Sequence, residues 1–291
     1  MISINTNNGG LFAAKAASQS QAAIDSAMQR LSTGSRINNA KDDAAGQAIA
    51  TRLTAEIQGL EIASRNVADG QSLVDTAEGA LQETHTLLLR MREIGVQAAN
   101  GTLSTSDNEA LDAEFQQLVK EIDRIAQNTT WAGAALLNGD GGTVDTSETF
   151  SFQAGVGNNS GADVFDVTVK NADATTLDVY VAQTNNGVTS NSVGLLSQSN
   201  AQTAIGLVDT AIATVSSERA NLGAVSNRMA STMANLDQIR VNLTASKGRI
   251  ADADFAAETA NLAKGQILQQ AATAMLAQAN ASKQQVLTLI R

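Results

Sequence analysis

Six apolar residues repeat at seven-residue intervals, Leu53, Leu60, Val67, Val74, Leu81 and Leu88, and this ladder constrains the chain more than any other feature. A seven-residue repeat lays one apolar stripe along a helix, and a single stripe is buried best against other helices. Ile57, Ala63, Ala77 and Met91 fill the intervening core positions. The pattern predicts a helix from about Ala44 to Asn100, a rod of roughly 80 Å at the α-helical rise. The chain contains no proline, and an interior proline would cost such a rod about 3 kcal/mol. Gly59, Gly70, Gly79 and Gly95 weaken the helix without ending it.

Other stripes surround this one. After the Asn100-Gly101 stop signal and a Ser/Thr loop, Leu111, Phe115, Leu118, Ile122 and Ile125 alternate spacings of four and three. That rhythm predicts a helix folded back as an antiparallel neighbour of the rod. Ile205, Val208, Ile212, Val215, Leu222, Val225, Met229, Met233, Leu236 and Leu243 mark a second long helix, with a hinge expected around Lys247-Gly248. The two ends are weaker. Residues 11–33 are Ala-rich, with Ala17, Ile24 and Leu31 seven apart and Met28 on the same side; the last helix carries Leu268, Ala272, Met275 and Ala279. Small side chains bury little area, so such helices are marginal alone and order against a partner.

Between about Gly139 and Ser199 the period changes to two. Thr149–Gln153 and Val164–Val169 alternate between Gly/Asn-rich turns and read as a β-hairpin, with Leu177–Val181 as a further strand. The fold class is therefore mainly α with a small β insert: an elongated antiparallel helical bundle or coiled coil of N- and C-terminal arms, with a β-hairpin region in the middle. The parts are a terminal helix over 1–43, rod helices over 44–140, the insert over 141–200, a rod helix over 201–250 and a terminal helix over 251–291.

Several function classes drop out. A net charge of −10 disfavours nucleic acid, which needs a basic face. Without cysteine there is no disulfide framework, thiolate nucleophile or Cys-based metal site. The start MISINTNNGG lacks a cationic segment followed by an apolar one, so no cleaved secretory signal is expected, and no apolar run is long enough to span a bilayer. His85, the only histidine, lies outside any HExxH pattern, and Asp42-Asp43 lacks the further oxygen ligands of a Ca²⁺ loop. No nucleophile–base set or phosphate loop is present, so no catalytic, cofactor or metal residues are assigned.

The segment from Arg30 through Ser32-Thr33-Gly34-Ser35-Arg36-Ile37-Asn38-Asn39-Ala40-Lys41-Asp42-Asp43 to Ala50 closely resembles the N-terminal signature of bacterial flagellins. A second match runs through Arg249–Phe255, Gln266–Ala271 and Leu276–Asn280 to the terminal Val286-Leu287-Thr288-Leu289-Ile290-Arg291. The resemblance covers roughly 1–140 and 200–291. It implies a short flagellin with a reduced central domain, exported unfolded without a cleaved signal and assembled outside the cell into an open helical homo-oligomer. An export chaperone, a filament cap and hook–filament junction proteins are the implied partners, with no nucleic acid and no membrane insertion. Ile24, Met28, Leu31, Leu268, Ala272, Met275, Leu287 and Ile290 would form the assembly core. Arg36, Lys41, Asp42 and Asp43 would connect core to shell. Residues 90–97 resemble the stretch recognised by Toll-like receptor 5, which implies contacts by Arg90, Ile94 and Glu114. The nearest rival is a hook–filament junction protein; a coiled-coil effector or adhesin would not require both terminal signatures.

Overall fold

A computed structural model describes residues 6–138, 148–159, 161, 163–179, 182–185, 188–191 and 194–289, with the backbone alone for 182–185, 188–191 and 283–289. In chain order the elements are α1 (Asn8–Thr33), α2 (Ala44–Ala98), α3 (Thr105–Asn128), β1 (Thr130–Trp131), β2 (Ala134–Ala135), β3 (Glu148–Gln153), β4 (Val164–Val169), β5 (Ala182–Asn185), β6 (Val188–Asn191), α4 (Gln198–Ala251) and α5 (Phe255–Leu289). The strands pair antiparallel in twos: β1 with β2, β3 with β4, β5 with β6. The fold is mainly helical with small β pieces, as the periodicities predict. Two compact units emerge, residues 1–58 with 240–291 and residues 59–239. Both cuts fall inside long helices, whereas the sequence boundaries lie at 43/44 and 250/251.

In the 59–239 unit the ladder is the core. Leu60, Val67, Val74, Leu81 and Leu88 are buried with Ala63, Ala77 and Met91, against Val208, Val215, Leu222 and Met229 of α4. Polar links fix the pairing. Gln71 donates to Ser226 at 2.7 Å, Arg219 to Glu78 at 2.7 Å and Arg92 to Asp209 at 2.6 Å. As the α2 number rises the α4 number falls, so the two helices run antiparallel. On α3 the buried seam is Phe115, Val119, Ile122 and Ala126. The expected Leu111, Leu118 and Ile125 flank it, half-buried. A Ser104–Asp107 capping box starts this helix: Asp107 N–H donates to Ser104 Oγ at 3.3 Å and Ser104 N–H to Asp107 Oδ2 at 3.0 Å.

The β3–β4 hairpin places Phe150 opposite Val167 and Phe152 opposite Phe165. Trp131 meets Phe152 edge-on, with centroids 6.4 Å apart. Gly70 makes this approach feasible, since a Cβ there would lie 2.8 Å from Met229 Cε and 3.1 Å from Phe152. Sequence reading missed the β1–β2 hairpin, whose two-residue turn has positive φ at both Ala132 and Gly133. The strand expected over Leu177–Val181 is corrected. Leu177 N–H donates to Asp173 O at 3.0 Å and Asp178 N–H to Thr175 O at 3.2 Å, a turn that stops the alternation from extending. Tyr180 and Val181 lie outside the described residues.

In the other unit α1 and α5 pack antiparallel. Ala13, Ile24, Ala27 and Ala272 are buried, and Gly265 lets the backbones close, since a Cβ there would stand 2.8 Å from Ile24 Cγ1. Gly34, at φ 69°, caps α1 by donating to Arg30 O at 2.9 Å. The hinge expected at Lys247-Gly248 is corrected: α4 continues to Ala251. Asp254 then caps α5, accepting from Ala256 N–H at 2.9 Å and Ala257 N–H at 3.2 Å.

Candidate assembly surface

The seam of the α1–α5 pair is mostly small side chains around Ile24, and most of the pair's large apolar side chains are exposed. Leu11, Phe12, Met28, Ile267, Leu268 and Met275 are all exposed, Phe12 at 74%. Helices that approach through alanine and glycine bring their backbones close, which leaves little room for bulky residues in the seam beyond Ile24 over Gly265. A groove of about 930 Å³ runs along the pair, lined in part by Phe12, Ala16, Leu268 and Met275. Its one buried charge is matched: Arg30 Nη1 lies 2.9 Å from Glu258 Oε1.

The residues expected for the assembly core divide accordingly. Ile24 and Ala272 are buried within the chain's own helix pair, Leu31 is half-buried, and Met28, Leu268 and Met275 face outward. Leu287 lies in α5 where the backbone alone is described, and Ile290 lies outside the described residues. Sequence reading passed over Leu11, Phe12 and Ile267 because they fall off the seven-residue stripe. Their signal was large apolar side chains in an alanine-rich helix, away from its seam.

The expected core–shell connectors work mostly within the chain. Arg36 donates through Nη2 to Ile250 O at 2.6 Å and through its backbone N–H to Ala251 O at 2.7 Å. Ala253 N–H donates to Gly34 O at 2.9 Å, and Ser35 bridges to Asp252. Asp42 Oδ2 accepts from Asn39 N–H at 3.0 Å and Asn38 N–H at 3.2 Å. The Asn39 bond leads in holding its carboxyl below the ordinary range. Asp43 Oδ1 accepts from Gly46 N–H at 2.8 Å and so caps α2. Arg36, Asp42 and Asp43 thus set the turn between α1 and α2; Lys41 is exposed.

A third constellation joins α2 and α3. Arg90 donates through Nη2 to Glu114 at 2.7 Å and through Nη1 to Glu93 at 3.0 Å. Glu114, then Glu93, raise its already high pKa. Arg90 and Glu114 are exposed, but Ile94 is only 1% exposed. Ile94 is therefore corrected from a contact residue to a core residue: its helix position turns it toward the seam of Leu88 and Met91.

Among the described residues, no group of three or more metal-ligating side chains occurs, and no helix is long and apolar enough to cross a membrane. Residues 4–141 match the bacterial flagellin N-terminal helical region and residues 205–290 the bacterial flagellin C-terminal helical region. The flagellin of Halalkalibacterium halodurans is 43% identical over 91% of each chain. The flagellin of Bacillus subtilis is 40% identical over 99% of each chain. A solved putative flagellar hook-associated protein from Vibrio parahaemolyticus shares the fold, with a TM-score of 0.57 and 15% identity over 72% of this chain and 100% of that one. With both helical regions and near full-length relatives in agreement, the chain belongs to the bacterial flagellins, a family of structural and not catalytic proteins, and is a structural subunit of the extracellular flagellar filament.

Proposed function

We propose that copies of this chain polymerise through the outward apolar faces of α1 and α5, each copy covering what its neighbours leave bare. The observation that carries this is the unburied set Leu11, Phe12, Met28, Ile267, Leu268 and Met275 on one helix pair. Fully burying such a side chain contributes about 1.5–3 kcal/mol, so six give on the order of 10 kcal/mol. Association itself costs an estimated ~4–15 kcal/mol. Contact with one neighbour is marginal and contact with several is decisive, which favours an open polymer of heterologous contacts over a closed dimer.

In this reading the α1–α5 pair forms the filament core and the rods of α2, α3 and α4 form the shell. The subunit is exported unfolded with an export chaperone and added between hook–filament junction proteins and a filament cap. Absence of proline and cysteine supports threading, since no X-Pro isomerisation or disulfide delays refolding at the far end. The test is a chain truncated after Lys247. It is expected to stay soluble and helical yet fail to elongate sheared filament seeds in a sedimentation assay. Seeded growth at the full-length rate would sink the reading.

A second reading rests on the exposed Arg90–Glu114 pair: this surface is recognised by Toll-like receptor 5 when subunits are released. Depolymerised protein is expected to activate a receptor reporter cell line, and Arg90→Ala to weaken the response about tenfold or more. No response to the unmodified subunit removes it.

A further inference from the structure

Two methionines stand out against the rest of the chain. Met28 is 56% exposed and Met275 64% exposed, whereas in the other unit Met91 and Met229 are 0% exposed and Met233 is half-buried. Both exposed residues belong to the α1–α5 pair, where Met275 lines the groove beside Phe12 and Leu268. Gly265 meets Ile24, Arg30 meets Glu258 and Gly9 meets Ala279 across the pair, a register that sets Met275 opposite residues 13–14. Met28 and Met275 therefore sit roughly 20 Å apart along the helix axis, at 1.5 Å per residue.

We propose that Met28 and Met275 are oxidation sites that switch subunit assembly off. A thioether is soft and apolar, suited to filling irregular gaps between helices. Its sulfoxide is polar and chiral, and disrupts methionine-bearing interfaces. The reaction needs only a peroxide as co-reactant. The sulfur lone pair attacks one oxygen of hydrogen peroxide, the O–O bond breaks, the second oxygen leaves as water after proton transfer, and the thioether is oxidised to the sulfoxide. At Met275 the event puts a strong dipole into a groove whose wall includes Phe12, Leu268 and alanines beside the polar Gln19, Ser20 and Lys264, and at Met28 onto an exposed stretch of α1. Burying it without a partner is unfavourable. The same peroxide reaches Met91 and Met229 only when their unit opens, and Met233 is half-buried on α4, so modification falls first on the assembly face. Once subunits are packed, that face is covered and oxidation slows. The switch thus acts on free subunits.

This inference rests on the proposed assembly through α1 and α5, and the experiment separates the two. Subunits are treated with hydrogen peroxide, and peptides containing Met28 and Met275 are weighed beside those containing Met91, Met229 and Met233. Seeded polymerisation is then measured for the treated protein, for the Met28→Leu/Met275→Leu double variant with and without peroxide, and for untreated Met28→Glu/Met275→Glu. The expected result is oxygen addition first at Met28 and Met275, with at least a tenfold rise in critical concentration. Incubation with methionine sulfoxide reductases and a thiol reductant reverses the rise. The leucine variant keeps the isosteric apolar surface and polymerises equally well with or without peroxide. If protein carrying both sulfoxides polymerises normally while the glutamate variant does not, the switch is overturned and the assembly face stands. An equal loss in peroxide-treated leucine variant also overturns the switch. If the glutamate variant and the oxidised protein both polymerise normally, both readings fall.

Discussion

Two phenylalanines measure how differently the two units are built. Phe115 on α3 is fully buried, while Phe12 on α1 is 74% exposed. The twelve largest fully buried side chains among the described residues all fall within 59–239, and the buried set of the other unit is chiefly alanine with Ile24 and Ile37. One unit completes its core within a single chain. The other exposes the kind of side chain that the first buries, and the proposed assembly turns on that difference.

The sharpest way to break this contrast is to truncate each phenylalanine. Phe115→Ala is expected to cost about 3–5 kcal/mol of folding stability. Trp131 is the only tryptophan and belongs to the same unit, so its fluorescence in a urea titration reports the loss. Phe12→Ala should move that midpoint by no more than about 0.5 kcal/mol, as an exposed site does, yet raise the critical concentration for seeded growth several-fold. Equal effects on folding from the two changes would erase the distinction.

Glycine substitutions come next in size. Gly70→Ala forces a methyl against Met229 and Phe152 and is expected to cost about 1–3 kcal/mol. Gly79 has nothing within 4 Å of a built Cβ, so Gly79→Ala is expected to gain roughly 0.4–1 kcal/mol. The sign difference between two glycines nine residues apart on one helix is the observation to check, again by Trp131 fluorescence. In the other unit, Gly265→Ala meets Ile24 first, on a helix pair with open sides, and a cost smaller than at Gly70 is expected in thermal circular dichroism.

The sequence made some of this legible and hid the rest for identifiable reasons. The α2 ladder from Leu60 to Leu88 was readable because one period persists over many turns and every rung is large. The β3–β4 hairpin was legible from the alternation of Phe150, Phe152, Phe165 and Val167, whereas its register came only with the structure. Ile94 was misjudged because resemblance assigns a residue to a surface without fixing its helical phase, whereas its spacing from Leu88 and Met91 sets the phase. The exposed face of α1 is only half legible: Met28 lies on the seven-residue stripe and Phe12 does not, and a helix seam of alanine has almost no hydrophobic contrast to mark it. The break after α4 was misplaced because Gly248 looked like a stop. In the structure that glycine stands beside the Asp252 carboxylate and the helix runs on.

Ion pairs give a smaller test of the same comparison. Glu258 is buried and held by Arg30, so Arg30→Met leaves a buried carboxylate without its cation, a loss of about 1.5–3 kcal/mol. Arg124 and Glu121 pair at 2.6 Å on the surface of α3, and solvent screening leaves Arg124→Met close to neutral. Thermal circular dichroism of the two variants should therefore show that the alanine-lined pair, although poor in core, depends on its one charged contact more than the rod does.

The smallest effects concern pH, and two aspartates on α3 pull in opposite directions. Asp107 has its pKa lowered, first by the Ser104 hydroxyl and then by the Ser104 backbone N–H. Its unfolded value is about 3.9, so the unfolded chain binds more protons below that value. Its stabilisation is present above about pH 4 and lost as pH falls through the folded pKa. Asp123 has its pKa raised by burial, against the bond it accepts from Ala174 N–H. Here the folded chain binds more protons, so the contribution is fullest below about pH 3.9 and declines as pH rises through the raised folded value. Urea midpoints followed by Trp131 between pH 3 and 6 should separate them. Asp107→Asn flattens the fall in stability below pH 4, because the group that had to be protonated is gone. Asp123→Asn keeps an acceptor for Ala174 and steepens the rise above pH 4, because the opposing slope has been removed. Parallel curves for both variants and the unmodified chain would mean that neither carboxyl is coupled to folding, and that the cap and the clasp on α3 hold through their neutral hydrogen bonds alone.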